Sequence, residues 1–160
     1  MRRHLHMIAL GTAITFAISA GLLWANPGDA VSGTWELNVA ASKFAPGPGP
    51  KSQTRTYESD GKTVKMTSKG VDGEGKATNV EYTASYDGKD HAMTGNPNAD
   101  SISLKRVDDY TAESTLKKAG KVTVTSTRVI SKDGKVMTIT STGKTAKGED
   151  INNTMVFDKK

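Results

Sequence analysis

The sequence predicts an all-β chain: an antiparallel up-and-down β-barrel of about ten strands, preceded by an N-terminal signal helix. Three observations carry this. From residue 33 onward apolar and polar residues alternate, with Thr, Val and Ile dominant, which suits a pleated and half-buried surface. Asp60-Gly61, Asp72-Gly73, Asp87-Gly88 and Asp133-Gly134 punctuate the alternation with residues that accept the positive φ of tight hairpin turns. A long uncharged and mostly apolar run, Met7 to Ala25, comes before them, shortly after Arg2 and Arg3.

That opening has the pattern of a secretory leader: positive, then apolar, then broken by Asn26-Pro27-Gly28. Two cleavage points leave a small residue at the last position, after Ala25 or after Ala30. The second also has the small Gly28 upstream and Pro27 stopping the helix, so residues 1–30 are assigned to the signal peptide and 31–160 to a single barrel domain. The competing reading is an uncleaved membrane anchor, since nearly twenty apolar residues can span a bilayer. Gly11, Thr12, Thr15, Ser19 and Gly21 make the run softer than a typical span. The domain is therefore expected in the periplasm or secreted.

The chain has 160 residues, enough for one domain and little more. It has no cysteine, which excludes a disulfide framework, a thiol nucleophile and a cysteine-held metal. The net charge is +5. Lysines are spread among Asp and Glu rather than gathered into a basic stripe with stacking aromatics, so no nucleic-acid partner is expected.

Reading between the turn signals places strands at about 33–40, 52–59, 63–70, 77–86, 90–94, 101–107, 110–118, 121–131, 136–142 and 151–158. Pro46, Pro48 and Pro50 make the gap at 41–51 stiff and extended. Asn96-Pro97-Asn98 marks a second loop. Consecutive strands joined by tight turns form a meander, and closing a meander hides its edges and buries one face. A two-sheet sandwich would call for longer crossovers.

Side chains alternate across a strand, so parity sorts them into faces. One face collects Trp35, Leu37, Val39, Val64, Met66, Val80, Tyr82, Ala84 and Tyr86. It continues through Ile102, Leu104, Tyr110, Ala112, Leu116, Val122, Val124, Met137, Ile139, Ile151, Met155 and Phe157. The opposite face carries Glu36, Lys65, Lys69, Glu81, Lys105, Glu113, Lys117 and Asp158. Arg55, Arg106 and Arg128 follow the inner parity, as do Ser114, Ser126, Ser141 and Asn153. An interior with small polar groups and few large aromatics leaves a cavity. An arginine inside it keeps its charge and offers a planar fork to a carboxylate or phosphate. The alternative is that each arginine sits near a strand end, its stem covering apolar surface and its head in water.

Catalytic and metal chemistry finds little support. His91 is the one histidine after the leader, and zinc needs partners of a kind this chain lacks. Asp72 and Glu74, or Asp108 and Asp109, lack calcium-loop spacing. Gly143-Lys144-Thr145 lacks the upstream glycine of a phosphate loop, Thr138 standing in its place. No nucleophile, base and orienting group form a set, so no enzyme activity and no cofactor are expected.

Gly33-Thr34-Trp35 at the head of the first strand resembles the Gly-x-Trp start of lipocalins and fatty-acid-binding proteins. The strand count resembles the fatty-acid-binding branch and the leader resembles the lipocalins, so the chain looks like a bacterial lipocalin-like (calycin) barrel. The resemblance implies structural roles for Gly33 and Trp35, the tryptophan closing the base. It also implies a late arginine against that tryptophan, for which Arg128 is the nearest candidate. Two departures stand out: Met155 and Phe157 occupy the positions of the Arg-x-Tyr pair in the last strand of fatty-acid-binding proteins, and the Pro-Gly segment replaces their helical lid.

The expected function is thus an exported monomeric barrel that takes a hydrophobic or amphipathic small molecule, with an anionic head, into its interior. The candidate ligand-binding residues are Arg55, Tyr57, Tyr82, Tyr86, Arg106 and Arg128. The alternative is an envelope interaction or inhibitor protein that uses loops 41–51 and 95–100 on a barrel scaffold, with no internal ligand. Membrane contact is expected through an uncleaved leader, if at all.

Overall fold

The alternating residues form ten strands in a computed structural model that describes residues 29–145 and 147–160. The predicted leader lies outside the described residues apart from Asp29 and Ala30. The strands are β1 (Gly33–Leu37), β2 (Ser52–Ser59), β3 (Thr63–Val71), β4 (Ala77–Ser85), β5 (His91–Thr94), β6 (Ser101–Arg106), β7 (Thr111–Lys118), β8 (Lys121–Ile130), β9 (Val136–Lys144) and β10 (Asp150–Lys159). Each pairs antiparallel with its sequence neighbours, and β1 also pairs with β10, closing the barrel. The seam between β1 and β10 matches Trp35 with Lys159, Glu36 with Asp158 and Leu37 with Phe157.

The Asp-Gly turns work through the aspartate as much as the glycine. Asp60 Oδ1 accepts from the amides of Lys62 and Thr63, Asp87 Oδ1 from Lys89, and Asp133 Oδ1 from Lys135. Each is a side chain mimicking a backbone turn. At Asp72-Gly73 the positive φ falls two residues later, on Gly75 at +93°.

Strand β1 ends three residues earlier than its alternation suggests. Asn38 turns the chain, its Oδ1 accepting from the Ala41 amide and its carbonyl from the Ser42 hydroxyl. Val39 is thereby thrown onto the surface, not the inner face. The chain then rejoins the ladder. Lys43 exchanges two backbone bonds with Thr154 of β10, and Asn152 donates to the Ala45 carbonyl. The first part of the 41–51 segment is thus tied to the barrel wall rather than standing free of it.

Two more inner-face assignments fail for local reasons. Tyr110 lies in the β6–β7 turn, before β7 begins, and is exposed. Val122 is 59 % exposed because a β-bulge shifts the β7–β8 register, so that Leu116 faces Val124 but Lys117 faces Val122. One extra residue re-aims every side chain beyond it.

The interior is filled unevenly. At the end where β1 begins and β10 finishes, Val31, Trp35, Val64, Met137 and Phe157 are fully buried and close the floor. The Trp35 indole donates to the Val31 carbonyl at 2.8 Å, locking the entering chain beneath the barrel. Halfway up, cross-strand pairing sets Leu104, Ser114, Ser126, Ser141 and Asn153 side by side around the wall. Small side chains there cannot meet across the barrel, so the upper half stays hollow.

Backbone crowding at the rim gives a test of this geometry. Gly95 holds φ at +78°, and a Cβ there would overlap the Asn79 carbonyl oxygen. Gly88 holds φ at +71° with nothing within 4 Å. Gly88→Ala is expected to cost about 1 kcal/mol for the left-handed conformation alone, and Gly95→Ala roughly 2 kcal/mol more for the added clash. Urea unfolding of the two variants measures the difference.

Candidate functional site

The hollow half is a cavity of about 360 Å³. Its wall is apolar over Met66, Val80, Met93, Ile102, Leu104 and Ile139, and Ser68, Ser114, Ser126, Ser141 and Asn153 add hydroxyl and amide groups. Its upper rim is built by Pro50, Asp72 and the Gly95–Asn98 loop. The two loops singled out from sequence as interaction surfaces therefore contribute the edge of this opening.

Four of the six sequence-predicted binding residues line the cavity: Arg55, Tyr57, Tyr82 and Arg128. Arg55 and Arg128 converge on one tyrosine. Arg55 Nη1 donates to the Tyr57 hydroxyl at 3.4 Å, and the Arg128 guanidinium lies 5.4 Å from the Tyr57 ring centre. Arg55 is further held by Gln53 at 3.2 Å and by the Phe157 ring at 5.0 Å. Among the described residues no carboxylate oxygen comes within 4.0 Å of either guanidinium. Arg128 Nη2 donates to the Tyr86 hydroxyl at 2.8 Å, yet its Nε is buried without a partner, as is the hydroxyl of Ser68. Ser68 is the cross-strand neighbour of Arg55.

The pKa of Arg128 lies above its ordinary value: burial lowers it, but the charges that Tyr57, Tyr86 and Tyr82 carry once ionised raise it more, and at neutral pH, with the phenols protonated, that compensation is absent. Arg128 is even so a permanent cation. Burial pushes Tyr82 far up, with Tyr57 adding to it and Arg128 and Arg55 opposing, so Tyr82 stays a neutral phenol. The cavity therefore carries two positive charges with no negative charge paired to them.

The other two predicted residues, Tyr86 and Arg106, lie at the floor instead. There they meet Asp29, which the sequence reading had placed inside the leader. The Asp29 side chain is 2 % exposed and bonds Arg106 Nη2 at 2.6 Å, the Ser59 hydroxyl at 2.7 Å and the Tyr86 hydroxyl at 3.0 Å. Arg106 also stacks 4.3 Å from the Tyr86 ring centre. Asp29 is the first carboxylate in the chain but lies four residues before the first strand, so the alternation that sorts strand residues does not reach it. The expected pairing of Arg128 with Trp35 is also not what the barrel builds: the cation over the Trp35 ring is Lys159, at 5.0 Å.

No protein-family model, curated protein or solved structure matches this chain. The site stands on its own geometry.

Asp29 makes the floor pH-sensitive. Burial alone would raise its pKa, but the hydrogen bonds from Arg106, Ser59 and Tyr86, with the Arg106 charge, carry it below the ordinary value. A depressed carboxylate contributes stability that is complete above its unfolded pKa, about 3.9, and is lost as pH falls through the folded value. Asp29→Asn is expected to cost about 3 kcal/mol at neutral pH, since Arg106 is only 28 % exposed and loses its counter-charge. That gap should narrow steadily below about pH 4. Denaturant midpoints of both proteins across this range check it, and a gap that does not change with pH would reject it.

Proposed function

We propose that this protein is an exported, monomeric, lipocalin-like carrier. It binds an amphipathic small molecule in the barrel, with an anionic head against Arg128 and Arg55. The observation that carries the reading is an unpaired guanidinium facing a hollow interior. An uncompensated buried cation costs several kcal/mol, and a carboxylate, sulfonate or phosphate ester would offset that cost with charge-assisted hydrogen bonds.

The Ser68 hydroxyl and Arg128 Nε, both buried without partners, are two further donors for such a head. The apolar portion would lie against Met66, Ile102, Leu104 and Ile139. A cavity of about 360 Å³ lies at the small end of typical ligand sites. This favours a compact ligand over a long-chain lipid. The closed ladder supports the monomeric reading, because among the described residues the first and last strands pair with each other rather than standing as edges for another chain. The leader pattern supports export. Binding to a protein partner through the loops gains less support, since Pro50 and Asn96–Asn98 edge the cavity and Lys43 is part of the wall.

The test is Arg128→Met, which removes the charge and keeps a flexible stem. The empty barrel is expected to unfold at the same temperature or higher, because a buried unpaired charge is gone. Affinity for an anionic naphthalene sulfonate probe should fall about 10- to 100-fold, the worth of charged hydrogen bonds of roughly 1.5–3 kcal/mol. Native mass spectrometry after incubation with a lipid extract gives an independent view. No retained molecule, together with an unchanged probe affinity in the variant, would overturn the proposal.

A further inference from the structure

The two processing points after Ala25 and after Ala30 differ by Asn26-Pro27-Gly28-Asp29-Ala30. The barrel distinguishes between them. Cutting after Ala30 removes the carboxylate that pairs Arg106 and accepts from Ser59 and Tyr86. It also places the new α-ammonium group on Val31, a fully buried residue whose nitrogen lies 3.5 Å from Asp29 Oδ1. The product would therefore have a fresh positive charge beneath the barrel, next to an Arg106 that has just lost its counter-charge. Cutting after Ala25 leaves every one of these contacts intact.

We propose that export processing cuts between Ala25 and Asn26, and that Asp29 is retained as a structural residue of the mature floor. The proposal rests on the leader reading above and makes a finer claim than it does. Signal peptidases require a small residue before the cut and favour another two residues earlier, where Ala25 has Leu23 and Ala30 has Gly28; the floor contacts therefore oppose the leader pattern here, and Ala25→Arg should block a cut after Ala25 while leaving Ala30 available.

The experiment is to express the full chain in a bacterial host, recover the exported protein and determine its intact mass and N-terminal residue. An N-terminus at Asn26 in the parent chain, lost in the Ala25→Arg variant, supports the proposal. An N-terminus at Val31 in the parent chain overturns it while leaving the leader reading standing. A full-length mass recovered from the membrane fraction overturns both, and is distinguishable from the other outcomes by mass alone. In a second measurement, chains beginning at Asn26 and at Val31 are refolded and compared in urea. The shorter chain should show a midpoint lower by about 1 M, or fail to fold. Equal midpoints would remove the structural argument for Asp29.

Discussion

The β1–β10 seam is the constraint on which the rest depends. It consists of three residue pairs, Trp35 with Lys159, Glu36 with Asp158 and Leu37 with Phe157. Without them the meander would be an open sheet with two unpaired edges, and its inner face would need something to cover it. With them, that face becomes an interior whose filling is decided only by side-chain volume. The seam also joins opposite ends of the sequence, so its formation requires the whole chain. Trp35 and Phe157 secure it from inside, both fully buried in the floor.

Once the sheet is closed, its arginines meet different fates. Arg106 emerges at the floor, where Asp29, Ser59 and Tyr86 compensate it and part of its head still reaches solvent. Arg128 lies further inside, flanked by Tyr57 and Tyr86 and lacking a carboxylate partner among the described residues. A chain selected only for stability would place methionine or leucine at 128, because a buried charge is seldom repaid by aromatic contacts alone. Arg128 is thus the interior position whose residue packing alone explains least.

Much of the fold could be read from the residues because several hairpins carry their own signal. Asp60, Asp87 and Asp133 build their turns through their own carboxylates, and most strands between them alternate regularly, so boundaries follow closely. The failures share a cause. Val39, Tyr110 and Val122 sit at a turn or a bulge, where a backbone irregularity breaks the period of two that parity relies on. Parity found Arg55, Tyr57, Tyr82 and Arg128 as inward residues. It could not say how high in the barrel each one stands, and so grouped them with Tyr86 and Arg106. Asp29 precedes the first strand and has no parity at all, so its place could come only from the tertiary structure.

Floor and cavity nevertheless share one hydrogen-bond chain. An ionised carboxylate only accepts, so Tyr86 must donate its single phenolic proton to Asp29. The phenol oxygen then has only lone pairs to offer toward the cavity, and one of them receives Arg128 Nη2. The polarity of the chain is therefore set at the floor and runs upward: the charge of Asp29 fixes the phenol, and the phenol fixes one arm of Arg128. The Nε edge is left unpaired by the same arrangement, because the cross-strand neighbours Ala112 and Ile139 and the Tyr57 ring offer no further acceptor. A packed and paired base thus holds a cation in place without neutralising it, the arrangement on which the proposed anion site relies.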